Sequence, residues 1–141
     1  MSPSIVLDTN VLIAGLRSRN GASFRLLSLV GESAFELNVS VPLVLEYEEV
    51  AKREARALGL THAEIDDLLD YYCAMATHRE IYFLWRPILR DPADDMVLEL
   101  AVEANCDFVV THNVRHFADA ERFGIRAATP GDFLKRIGVL P

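Results

Sequence analysis

The chain has 141 residues, 51% hydrophobic and 25% charged, a composition that excludes a disordered or low-complexity protein and fits one domain with a sizeable core. Fourteen Lys and Arg residues face 21 Asp and Glu, giving a net charge of −7. Bulk positive charge therefore cannot drive nucleic-acid binding; a nucleic-acid substrate would need metal ions and a local basic patch. No stretch approaches the apolar length of a membrane span, and the N-terminus lacks a basic region followed by a long apolar core. The expectation is a cytoplasmic protein without membrane association. Cys73 and Cys106 lie in apolar surroundings, read as small core residues and form no metal-spaced pair. All the basic residues but Lys52 and Lys135 are arginine, which favours bidentate contacts with phosphate or carboxylate.

Ile5-Val6-Leu7 is a short apolar run with two β-branched residues, suited to a strand buried on both faces. Asp8-Thr9-Asn10 interrupts it, and apolar character resumes in a helix from about Val11 to Leu16. Asp8 thus falls at the carboxyl end of a strand, where ligands sit in open parallel sheets, although Asp, Thr and Asn also cap helices. Arg17 to Gly21 is a basic loop ending in an Asn-Gly turn. Phe24, Leu26, Leu27, Leu29 and Val30 predict a second helix with Gly31 as its C-cap. Residues 35–41 alternate apolar and polar, predicting a second strand nearer an edge.

Ser40-Val41-Pro42 opens a long helix, since proline suits the first turn, and Leu43, Tyr47, Val50, Ala51 and Leu58 keep helical spacing up to Gly59. Glu46 points along the apolar side of this helix, while Glu48 and Glu49 lie on more exposed faces. A carboxylate so placed needs a partner, either a ligand or an arginine in a partly buried salt bridge. Thr61-His62-Ala63-Glu64 is a capping box, followed by Ile65, Leu68, Leu69, Tyr72 and Met75 at helical spacing. The two helices form a hairpin, either core or partner surface, and His62 and His78, expected to be exposed, flank the second of them. Ile81 to Trp85 reads as a third strand, stopped by Pro87.

Asp91 is a good N-cap, Pro92 fits the first helical position, and Asp94 and Asp95 follow in the first turn. Acids complement the dipole there, but capping needs one or two and this turn has three. Asp94 heads the stripe Leu98, Ala101 and so faces inward. Phe108-Val109-Val110 is a buried strand ending in Thr111-His112-Asn113, which repeats the pattern of the first strand: an apolar run, then a polar triplet. His112 and His116 have zinc-like spacing but straddle a strand end without a third ligand, which argues against zinc. Ile125 to Ala128 is a last short strand, and Thr129-Pro130 opens a C-terminal helix.

Strands alternating with helices predict a single α/β domain over residues 1–141, a three-layer α/β/α sandwich on a parallel sheet. Asp8 and Asn113 would share one sheet edge, with Glu46 and Asp94 on helices that open on it. Carboxylates crowded in a partly dry cleft repel one another, and a divalent cation relieves this. Oxygen ligands without cysteine select magnesium or manganese, and such sites handle phosphates. By the same repulsion, losing one of these carboxylates should stabilise the metal-free protein.

Asp8-Thr9-Asn10, Glu46 in a helix after a strand, Asp94 opening a helix that reaches Ala101, and Val110-Thr111-His112-Asn113 with Phe117 resemble, in order and spacing, the PIN-domain ribonucleases. These include the VapC-type toxins of bacterial toxin–antitoxin systems. The resemblance covers nearly the whole chain. It implies magnesium-dependent cleavage of single-stranded RNA with Asp8, Glu46 and Asp94 as metal ligands, inhibition by a cognate antitoxin, and frequent homodimerisation. Many family members carry an acid where this chain has Asn113, which weakens a second metal site; Asp95 and Asp91 are the nearest substitutes. Thr9, Asn10, Asp95, Thr111 and Asn113 would orient carboxylates or waters, and Arg17, Arg19 and Arg115 would grip RNA phosphates. Two other readings compete. A haloacid-dehalogenase-like phosphatase wants a second acid where Asn10 stands. A receiver-like, non-catalytic acidic module wants a late lysine at the cleft, whereas Lys135 falls inside the last helix.

Overall fold

The computed structural model describes residues 2–81 and 92–141. Strand β1 (Ser4–Leu7) buries Ile5 and Val6 completely because it has a neighbour on each side and helices above and below. The other described strands are β2 (Glu36–Val39), β3 (Thr77–His78), β4 (Phe108–Val110) and β5 (Arg126–Ala128). They line up in the order β3-β2-β1-β4-β5 and every pairing is parallel. Ile5 sits between Leu37 and Phe108, and Leu7 is level with Val110. Successive strands run outward from β1 to β3, then the chain returns to place β4 on the other side of β1. The order therefore reverses between β1 and β4, and in open α/β sheets ligands bind in the crevice beyond the strand ends at that point.

Helices α1 (Thr9–Arg17), α2 (Ala22–Ser28), α3 (Val41–Arg53), α4 (Ala55–Leu58), α5 (His62–Met75), α6 (Pro92–Glu103) and α7 (Pro130–Arg136) flank the sheet, giving the three-layer α/β/α sandwich expected from the alternation of strands and helices. Gly15 lets α1 and α2 approach closely: a Cβ there would lie 2.3 Å from Leu27 Cδ1 and 3.1 Å from the Ser23 carbonyl oxygen. The C-terminal helix is anchored by Phe133, whose ring meets Phe108 and Phe35 edge-on at centroid distances of 5.2 and 5.9 Å. Among the described residues, no helix is long and apolar enough to cross a membrane.

Several local expectations change. The third strand is Thr77–His78, pairing with Asn38 and Val39, and Ile81 is outside it. The rest of the aromatic run (residues 82–85), Pro87 and the N-cap assigned to Asp91 lie outside the described residues. The second strand is shorter than residues 35–41, because Ser40 leaves it to cap α3, accepting from the Leu43 amide. That strand is next to the centre rather than at the edge. Its polar residue Asn38 is fully buried, donating to Ser4 Oγ at 2.7 Å and to the Ile5 carbonyl at 3.2 Å, and accepting from Arg79 Nε at 3.3 Å. The long helix breaks at Glu54, whose backbone (φ −98°, ψ 12°) separates α3 from the single turn of α4. Helix α2 stops at Ser28 with Leu29 as its cap, so Gly31 serves the following turn (φ +87°) rather than the helix end. After β4 the chain winds into a 3-10 segment (Val114–Phe123) kinked at buried Phe117, an element the sequence pattern did not indicate.

Candidate active site

The crevice between the ends of β1 and β4 is built from the two polar triplets. Asp8, 7% exposed, caps α1 through Oδ1, which accepts from the Thr9 amide at 2.8 Å. The capping role is therefore real, and it leaves Oδ2 facing β4. That oxygen accepts from the Thr111 hydroxyl at 2.8 Å and from Asn10 Nδ2 at 3.3 Å. Asn10 reaches across in turn, its Oδ1 accepting from the His112 amide at 3.2 Å. Thr111 is completely buried and also accepts from the Asn113 amide at 3.0 Å. The two strand ends are thus stitched together by side chains, and the Asp8 amide donates to the Val110 carbonyl at 2.9 Å.

Glu46 joins this network from α3: its Oε2 accepts from the Thr9 hydroxyl. Thr9 therefore bridges two carboxylates, Asp8 through its amide and Glu46 through its side chain. Next to Glu46, Tyr47 is buried and its hydroxyl donates to the Leu7 carbonyl. Burial pushes the Tyr47 phenol well above its usual range, and the negative charges of Asp8 and Glu46 push it further the same way. Tyr47 thus packs against the acidic crevice, whereas its spacing alone marked it as one of an apolar stripe. A buried tyrosine needs a partner for its hydroxyl, and that rule was the available signal.

Asp94 and Asp95 occupy the first turn of α6, each 8% exposed. Asp94 faces inward as its stripe implied, and its Oδ2 lies 3.3 Å from His116 Nδ1 on the 3-10 segment. His112 instead faces Ser23, with 3.1 Å between Nε2 and Oγ. The two histidines thus serve different partners. Ser23 and the pairing of His116 with Asp94 were not foreseen, because both contacts cross between elements far apart in sequence.

The remaining residues singled out by sequence divide clearly. Asn113 is exposed and joins the crevice through its backbone, its carbonyl accepting from the His116 amide at 2.9 Å. Arg17 pairs with Glu54 at 2.7 Å, so its charge is already offset. Arg19 in the α1–α2 loop and Arg115 on the 3-10 segment are exposed, and neither has an ion-pair partner among the described residues. Cys106 is buried, its thiol pushed up to about 11 chiefly by desolvation, and Cys73 is half-buried and also free.

The all-oxygen, carboxylate-rich donor set suits a hard divalent cation in kind. Among the described residues, however, no three His, Cys, Asp or Glu side chains already form a metal-sized cluster. Asp8 and Glu46 are joined through Thr9, and Asp94 leans on His116.

A parallel sheet with Asp8 at its switch point, tied through Thr9 to Glu46, defines a class, the α/β proteins with a carboxylate in the crevice beyond the strand ends. Within that class, residues 4–115 match the family described as PIN domain, and the chain belongs to it. PIN domains are nucleases, so the resemblance carried by the four motifs is borne out and neither the phosphatase nor the receiver-like reading retains support. No curated protein matches the sequence. Among solved structures, the fold is similar to a chain of VapBC2 from Rickettsia felis, determined bound to a DNA fragment from its promoter. The TM-score is 0.60 and the identity 12%, over 89% of this chain and 98% of that one. At that identity the likeness concerns the fold.

Proposed function

We propose that the protein is a divalent-metal-dependent endoribonuclease acting on single-stranded RNA, and that Asp8, Glu46 and Asp94 hold magnesium or manganese. The observation that carries this is Asp8: a buried carboxylate at the switch point whose orientation is fixed by Thr9, Asn10 and Thr111. A carboxylate held so rigidly is preorganised, as catalytic metal ligands generally are. When bound, a divalent ion supplies Lewis-acid stabilisation of phosphate charge and lowers the pKa of water.

The chain's own residues do the rest. Thr111 and Asn10 hold Asp8 in one rotamer. Thr9 keeps Glu46 beside it until a cation competes for the carboxylate. His116 steadies Asp94, and we assign Asp95, in the first turn of α6, and Asn113, at the end of β4, to orienting water. Arg115 and Arg19 are the exposed cations able to take RNA phosphates, whereas Arg17 must share its charge with Glu54. The deciding assay is cleavage of single-stranded RNA with magnesium, with manganese and with chelator, beside a phosphomonoester control. Metal-dependent cutting of RNA without phosphomonoester hydrolysis is expected; the reverse would overturn the reading.

We further infer that the cytoplasmic protein works as a toxin held by a cognate antitoxin, and that it forms homodimers. Val41 and Leu45 on α3, and Tyr71 and Met75 on α5, are exposed large apolar residues four apart, 46% to 69% accessible. Exposed apolar stripes of this kind mark interfaces. Light scattering on purified protein tests the dimer, and a strictly monomeric mass at high concentration would remove it.

A further inference from the structure

A groove of about 420 Å³ leads away from the crevice along α1. It is lined by Thr9, Asn10 and His112 near the strand ends, by the apolar Ile13, Ala14 and Val50, and by Arg17 and Glu54 at the far end of α1. The helix rises 1.5 Å per residue, so Arg17 lies about 12 Å along the axis from Thr9. That span matches the reach from a backbone phosphate at the crevice to the far edge of a purine.

We propose that this groove takes the base next to the scissile phosphate and that the Arg17–Glu54 pair selects guanine there. This rests on the nuclease reading above. Single-stranded RNA is recognised by splaying bases into apolar slots and reading their edges. The protein carries −7 overall and Arg17 is already paired, so phosphate contacts fall to residues such as Arg19 and Arg115, and base burial has to add to the affinity they supply. The groove has the chemistry for it: apolar side chains for the ring faces, and a donor and an acceptor side by side at the end. Arg17 donates through one nitrogen to Glu54 Oε1 and keeps further N–H groups. Glu54 Oε2 makes no hydrogen bond among the described residues. Guanine presents an acceptor at O6 beside donors at N1 and N2, which complements arginine next to carboxylate. Adenine would set its N1 lone pair against Glu54. Uracil offers one donor and is a ring too short to span the groove.

The test uses full-length Asp94→Asn protein with manganese, and fluorescent pentamers UUGUU, UUAUU, UUCUU and UUUUU, read by anisotropy. UUGUU should bind about tenfold more tightly than the other three, the discrimination of one good bidentate contact. Adding Glu54→Ala should erase that preference, and adding Val50→Phe should weaken all four by filling the groove. Ala14→Leu fills the same space if Val50→Phe fails to fold, as circular dichroism would reveal. Equal binding of the four pentamers, or a guanine preference that survives Glu54→Ala, overturns the proposal. Wild-type cleavage of the same pentamers separates the two readings: a guanine preference in binding with no metal-dependent cutting would sink the nuclease reading while the base subsite stands.

Discussion

The Thr111 hydroxyl donates to Asp8 Oδ2 across 2.8 Å, joining the end of β4 to the end of β1 where the strand order reverses. Thr111 is wholly buried, so replacing it by isosteric valine removes the shorter of the two bonds to Asp8 Oδ2 and takes the acceptor from the Asn113 amide. Thr111→Val should lose about 1–3 kcal/mol of stability, the usual cost of an unmet buried polar group. If Asp8 binds the metal, activity should fall about ten- to a hundredfold, as for other groups that orient a ligand. Urea midpoints and RNA cleavage rates measure the two effects. Unchanged activity with lowered stability would make Thr111 a purely structural residue.

Removing the acids one at a time distinguishes their roles. Asp8→Asn, Glu46→Gln and Asp94→Asn should each reduce RNA cleavage to the level of the buffer blank. Their stabilities should differ, and not as simple charge repulsion suggests. Asp8 accepts from three donors, so an amide there turns an N–H toward another N–H or a hydroxyl, and Asp8→Asn should lose about 1–3 kcal/mol. Glu46→Gln retains an oxygen for the Thr9 hydroxyl and should stay within about 0.5 kcal/mol of wild type. Chemical denaturation of the metal-free proteins reads this order. A more stable Asp8→Asn would restore the repulsion argument.

Acid stability has a local handle far from the crevice. Hydrogen bonds from the Thr61 amide and hydroxyl region hold the Glu64 carboxyl below its usual value of 4.5. A carboxyl depressed in the folded state contributes stability that is fully present above its unfolded pKa and is lost as pH falls through the folded value. Glu64→Gln should therefore lower the melting temperature at neutral pH, and the difference should shrink as pH falls through the depressed folded-state value. Melting curves at pH 7, 5 and 3.5 check it; a constant difference across the three would show that the charge is not what stabilises the cap.

The sequence disclosed the crevice better than its surroundings, for a physical reason. Asp8 and Thr111 each follow a short apolar strand, and although one polar triplet after a strand is explained by helix capping, two of them at strand ends with inward-facing acids elsewhere in the chain point to a shared crevice. Asp94 was legible because its helical stripe runs on through Leu98 and Ala101. What failed were features set by tertiary contact. Strand β3 is two residues long with exposed His78, so it carries no apolar signal, and pairing with Asn38 and Val39 alone defines it. Asn38 looked solvent-facing because alternation implies it, yet Ser4, Ile5 and Arg79 supply partners that make its burial tolerable. The Arg17–Glu54 pair joins residues 37 apart, from the end of α1 to the break between α3 and α4, and nothing in either neighbourhood announces the other.

Asn113 stands where the resemblance drawn from the sequence implies an acid, and its position makes the consequence measurable. Its backbone is fixed, the amide donating to Thr111 Oγ1 and the carbonyl accepting from the His116 amide, while the side chain is exposed beside the crevice. A substitution there should leave the fold intact. An amide oxygen can coordinate a cation but brings no charge. If Asp8, Glu46 and Asp94 supply three negative charges to the site, one divalent ion is well compensated and a second is not. We expect one tight manganese site in the wild type, with a second filled only when substrate phosphate is present. Asn113→Asp should then bind manganese about tenfold more tightly without RNA, since added ligand charge is what raises affinity for such cations. Calorimetric titration of both proteins decides it. Two tight ions in the wild type, or no gain in Asn113→Asp, would mean that the end of β4 does not face the metal, and the Asp8 network would then be assigned to holding the strands together.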